Sequence, residues 1–167
     1  MVLTNAELVS SLQKEVRILL HLATKIDREH LDYRPTPKQR SSLEVLQYLS
    51  FMGPTLIRAA RAGGFDPAAW TETANAAAAA DFDKTVDAIA AMSDQYASLL
   101  AEVSDADLRK DVEMFGRTQS LGSFLVNVVF AGHAAYRTQL FLYLKSCGRT
   151  ELNTMNLWSG IDPPAPS

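Results

Sequence analysis

The chain has 167 residues, 47% of them hydrophobic and 21% charged, with a formal net charge of −3. That length and balance suit one domain with one sizeable core and exclude a largely disordered chain. The small negative charge supplies no field for nucleic acid or an anionic membrane, and a single cysteine, Cys147, excludes an intramolecular disulfide.

The opening residues MVLTNAELVSS lack the basic and apolar blocks of a secretory signal, so a cytoplasmic protein is expected. The first predicted helix covers 5–26. Thr4 and Glu7 have capping-box spacing, and Leu8, Leu12, Val16, Leu19, Ala23 and Ile26 form one apolar stripe. His21 falls opposite that stripe and is expected to be exposed. Pro35 and Pro37 then impose a loop, in which Arg34, Lys38 and Arg40 read as a solvated basic stretch and His30 as a loop histidine. A second capping box, Ser41 and Glu44, opens the second helix, which Gly53-Pro54 should kink or break and Gly63-Gly64 should end near 62. A loop with Pro67 and Trp70 follows, and the run Ala76–Ala80, of high helix propensity, reads as the lead-in to a third helix over 83–103. Residues 109–118 read as irregular or extended with a bend at Gly116.

The fourth predicted helix covers 120–146, with Gly148 as its stop. The uncharged stretch 118–136 approaches the length of a membrane span. Gln119, Ser120, Ser123, Asn127 and His133 interrupt it, so a buried bundle helix is expected instead. The tail 149–167, ending in DPPAPS, is expected to be extended. The chain therefore reads as an all-α four-helix bundle over 1–148 followed by an extended C-terminal tail over 149–167.

Chemistry centres on the fourth helix. Leu125, Val129, Gly132, Tyr136, Gln139 and Tyr143 share one face, and His133 lies beside them within the apolar arc. An inward histidine either bonds a core partner or belongs to a site, and the first alternative is the commoner. No HExxH or HxxxH spacing occurs, no phosphate-cradling glycine loop occurs, and Cys147 lies where the helix dipole does not activate a thiol.

Residues 31–52, LDYRPTPKQRSSLEVLQYLSFM, and 115–148, FGRTQSLGSFLVNVVFAGHAAYRTQLFLYLKSCG, resemble two blocks of the DinB-like (DinB/YfiT-like) family: a Tyr-Arg-Pro loop leading into helix two, and a last helix carrying Arg-x-Gln-Leu. The resemblance implies a four-helix bundle, often dimeric, in which three histidines hold a divalent metal. Those positions correspond here to Tyr48, Gly132 (beside His133) and Tyr136, so the metal-binding histidines are largely replaced. Zinc or nickel wants at least three nitrogen, sulfur or carboxylate donors, and phenols would need an ion such as Fe(III). A metal at His133, Tyr48 and Tyr136 is therefore not the expectation, and no cofactor is expected.

Three readings follow. In the first, Tyr48, His133, Tyr136, Arg137 and Gln139 line a small-molecule pocket between helices two and four, with His133 as general base. In the second, which the resemblance implies, the protein is a metal- or thiol-dependent transferase. In the third it is a non-catalytic homodimeric module in which His133 bonds a backbone carbonyl or a tyrosine hydroxyl.

Overall fold

A computed structural model describes residues 3–164. Four long helical segments make the bundle: α1 (Asn5–Ala23), α2 (Ser42–Ala62), α4 (Phe82–Leu100) and the segment 121–146. The last is continuous but not uniform. α5 (Leu121–Phe124) is followed by a π-helical segment (Leu125–Phe130) and then by α6 (Ala131–Ser146). α4 packs against both α1 and α2, while α6 packs against α2 and α1. Both expected capping boxes form: Thr4 with Glu7, and Ser41 with Glu44. The apolar stripe of α1 meets Val45, Leu49, Ile89, Met92, Leu125, Val129 and Leu140 in one core. Among the described residues, no helix is long and apolar enough to cross a membrane.

Three sequence expectations are corrected and one is refined. First, 67–78 is a helix, α3 (Pro67–Ala78), and not a loop. Asp66 accepts from the amides of Ala68 and Ala69, Pro67 occupies the first turn, and the alanines need no partner to be helical. α3 buries no residue completely; Trp70 anchors it, with ring centroids 5.0 Å from Phe51 and 5.5 Å from Phe65. Second, α2 runs unbroken through Pro54. The residue before a proline resists helical backbone partly through its Cβ, and Gly53 has none.

Third, as a refinement, the expected extended stretch bent at Gly116 is a hairpin, β1 (Asp111–Met114) against β2 (Arg117–Ser120), antiparallel with Asp111 opposite Ser120. Its two turn residues, Phe115 (φ 55°) and Gly116 (φ 71°), both adopt positive φ, as tight hairpins require. Phe115 holds that unfavourable conformation while stacking on Phe65, with centroids 5.0 Å apart.

Fourth, the tail is folded. Lys145 Nζ donates to the carbonyl of Leu152 at 2.7 Å, and the buried Leu152 leads into a short helix, α7 (Thr154–Ser159). Asn156 is fully buried and donates to His21 Nε2 (3.0 Å) and to Asp162 (2.9 Å); Lys25 also reaches Asp162, at 2.7 Å. His21 is therefore partly covered by the tail and not exposed as expected. Residues 165–167 of the DPPAPS end lie outside the described residues.

Replacing Asn156 with Ala removes the donor to His21 Nε2 and the acceptor that the Asn153 backbone N–H uses in the capping box of α7. The expected result is a loss of roughly 1–3 kcal/mol in urea unfolding, with limited proteolysis newly cutting between 149 and 160. A tail as protected as in the parent protein would show that Asn156 does not hold α7 down.

Candidate functional site

The five side chains expected around one pocket do not converge; the structure sends them to three places. His133 goes to the core. It is 1% exposed, and its Nε2 lies 2.5 Å from the hydroxyl of Tyr96 on α4, which is 0% exposed. The two meet in the space left by Gly53 on α2. A Cβ there would overlap the Tyr96 hydroxyl and come within 2.8 Å of His133 Nε2. Burial pushes the Tyr96 phenol pKa up, so its hydroxyl keeps its proton and donates to the imidazole. Burial, reinforced by Arg137, lowers the His133 pKa to about 4 and keeps the ring neutral. His133 lines neither the cavity beside Tyr48 nor the one beside Arg137 described below. A general base needs contact with its substrate, and this ring has none to offer.

Tyr48 and Tyr136 do come together, with ring centroids 4.8 Å apart. Arg40, from the basic loop, caps the pair. Its guanidinium carbon sits 4.1 Å from the Tyr48 ring centroid and 5.5 Å from that of Tyr136, and its Nη1 donates to the Tyr136 hydroxyl at 3.4 Å. Burial and the neighbouring Tyr136 raise the Tyr48 pKa, so this phenol is neutral near pH 7. Beside the pair opens a cavity of about 400 Å³ between the 34–40 loop, α2 and α3. Tyr48, Phe51 and Trp70 supply aromatic surface, and Arg34, Lys38 and Arg40 supply three cations against one carboxylate, Glu44. Gln47 ties α3 to this wall by donating to the carbonyls of Ala80 (2.7 Å) and Ala78 (3.3 Å).

Gln139 supports the loop and does not face the cavity. It donates to the Tyr143 hydroxyl, which in turn donates to the Arg40 carbonyl at 3.1 Å. Arg137 points away from all of these, toward α1 and α7. Its Nε is 2.7 Å from Glu15 Oε2, its Nη2 donates to Glu15 Oε1 at 3.3 Å, and its Nη1 donates to the Leu157 carbonyl. Burial raises the Glu15 pKa, and the Arg137 charge opposes that shift.

Arg40, Trp70, Tyr96 and Glu15 are the participants that sequence reasoning missed. Arg40 was visible in the basic stretch, but only the fold lays it over two phenols. Glu15 carried a sharper signal. It follows Leu12 by three residues on the apolar stripe of α1, where a carboxylate needs a partner.

The arrangement does not fit a family-type metal. Tyr48 and Tyr136 are phenols, Gly132 has no side chain, and His133 Nε2 is occupied by Tyr96. Among the described residues, no three His, Cys, Asp or Glu side chains are grouped to hold an ion.

Fold and site thus define a helical bundle whose polar chemistry rests on arginine, tyrosine and tryptophan. No family model matches the chain, and no curated protein matches it. Among solved structures it is similar to a DinB-like protein from Bacillus cereus ATCC 10987 (TM-score 0.71, 17% identity, covering 89% of this chain and 95% of that one). It is also similar to a DinB-like protein from Bacillus subtilis, YjoA (TM-score 0.66, 16% identity, covering 87% and 95%). The all-helical fold of the DinB-like proteins is therefore the fold of this chain.

Two measurements check the site. The unfolded chain binds a proton at His133 near the ordinary value of 6.5, and the folded chain only near 4. Stability is thus full above pH 6.5 and falls as the pH drops toward 4, by an amount on the order of 3 kcal/mol from this group. Urea unfolding from pH 7.5 to 4.5 should show that slope, and His133→Gln should flatten it; equal slopes in both proteins would refute the assignment. Metal analysis of unchelated protein should find well under one equivalent. Stoichiometric metal that disappears on His133→Ala would show that the site accommodates an ion after all.

Proposed function

We propose that this protein binds a small anionic molecule with a flat or apolar body in the cavity between the 34–40 loop, α2 and α3. The observation that carries the reading is the Arg40 guanidinium held against the Tyr48–Tyr136 pair at the edge of an aromatic cavity of about 400 Å³. Small-molecule sites combine apolar walls with a few placed polar groups, and Tyr48, Phe51 and Trp70 beside Arg40, Arg34 and Lys38 have that character. A planar guanidinium forms paired hydrogen bonds to carboxylate or phosphate oxygens. Arg34 is partly engaged, with Glu44 at 3.3 Å, which leaves Arg40 and Lys38 as the recognising cations. Aromatic faces favour a flat ligand body. The function is binding; His133 takes no part in it, and no metal-dependent transfer is assigned.

The test is calorimetric titration with benzoate, 2-naphthoate and phenyl phosphate against uncharged benzamide. The anions should bind and the amide should bind much more weakly. Arg40→Gln should weaken anion binding by about tenfold or more, the scale of a charge-assisted hydrogen bond. Equal binding of benzamide and benzoate, or an Arg40→Gln protein that binds like the parent, would sink the reading.

A further inference from the structure

A second cavity, of about 350 Å³, lies among α1, α6 and α7, on the side to which Arg137 turns. At its wall are two ionised side chains that are almost wholly buried, Glu15 (4% exposed) and Arg137 (5%). The two face each other side on: Arg137 Nε lies 2.7 Å from Glu15 Oε2, and Nη2 donates to Glu15 Oε1 at 3.3 Å. A guanidinium carries five N–H donors and a carboxylate about four acceptor sites. The contacts to Glu15 and to the Leu157 carbonyl engage three of those donors and two of those acceptor sites, which leaves two N–H groups and about two acceptor sites unused. Buried polar groups left in that condition are costly, and a partner that meets both would relieve the cost. Phe130, Ala134, Leu157 and Trp158 supply the apolar part of the wall, and Ser11 and Thr138 add hydroxyls. Lys14 adds a cation, and Trp158 is 61% exposed with its ring 5.7 Å from the Arg137 guanidinium carbon.

We infer that this cavity is a binding site for a zwitterion of the α-amino-acid class carrying an apolar side chain. Its ammonium meets Glu15, its carboxylate meets Arg137 and Lys14, and its side chain lies on Phe130 and Trp158. Lys14 and Arg137 give the wall two cations against one carboxylate, so a cation alone is disfavoured, and an anion alone leaves the Glu15 acceptor sites unmet. A ligand carrying both charges close together complements all three groups. The site is separate from the Arg40 cavity, and its ligand chemistry differs.

The experiment is calorimetric titration of the full chain with L-leucine, isoamylamine and 4-methylpentanoate, which share one side chain and differ in charge. L-leucine should bind at least about tenfold more tightly than either singly charged analogue. It should bind Arg40→Gln protein unchanged, whereas 4-methylpentanoate binding that vanishes in Arg40→Gln belongs to the other cavity. Ala134→Leu, which fills the space without touching the ion pair, should abolish leucine binding. Trp158→Ala alters only an exposed side chain and should weaken it even if Ala134→Leu folds poorly. No leucine binding by folded protein would show that water alone fills the cavity. Equal binding of all three ligands, or leucine binding unaffected in a folded Ala134→Leu protein and in Trp158→Ala, would equally overturn the inference.

Discussion

Three helices approach one another at a point where one of them has no side chain. Gly53 on α2 leaves room for the Tyr96 hydroxyl from α4 and the His133 ring from α6, and the two share a buried hydrogen bond there. Neither group tolerates burial alone, since an unpartnered phenol or imidazole in a close-packed interior costs more than its bond returns. The hydrogen bond satisfies both and fixes how α6 is rotated against α2 and α4. It also commits the one buried histidine of the described residues to structure.

That rotation explains the divided site. Successive residues on a helix point about 100° apart. With His133 turned into the core, Tyr136 reaches Tyr48 on α2, and Arg137 turns instead toward Glu15 on α1. One and two turns further on, Gln139 and Tyr143 reach back to the loop that carries Arg40. The π-helical segment at 125–130 lies just upstream of this series. π turns depart from α-helical periodicity, so facing patterns extrapolated across one lose phase. The face that begins at Leu125 and Val129 is continued by His133 and Arg137, not by Gly132 and Tyr136 as ideal spacing implies.

Long periodic segments were readable because burial rewards them directly. The stripe of α1, both capping boxes and the long last helix appear where the pattern of Leu, Val and Ile places them. α3 escaped because it buries little and shows no apolar stripe; its signal lay in Asp66-Pro67 and alanine propensity. α7 escaped because six residues are too few for a period, and it is held by Asn156 contacts with groups far away in sequence. The relation of the five expected pocket residues was beyond sequence patterns for the same reason. Tyr48 with Tyr136, His133 with Tyr96, and Arg137 with Glu15 are pairings set by helix rotation, which no single helix encodes.

The two cavities show what arginine can do in a bundle of this fold. A phenol pair is a poor metal site near pH 7 because each oxygen must first lose a proton with an ordinary pKa near 10, and burial makes that harder. A guanidinium needs no such step: it is charged at every physiological pH and stacks well on the neutral rings. Arg40 therefore supplies a permanent cation where Tyr48 and Tyr136 can supply only surface. Arg137 makes the opposite case. Glu15 neutralises it and burial encloses it, so what it can still offer is hydrogen-bond directions and not net charge. The bundle thus sets one arginine, Arg40, against neutral rings at its surface and another, Arg137, against a carboxylate in its interior.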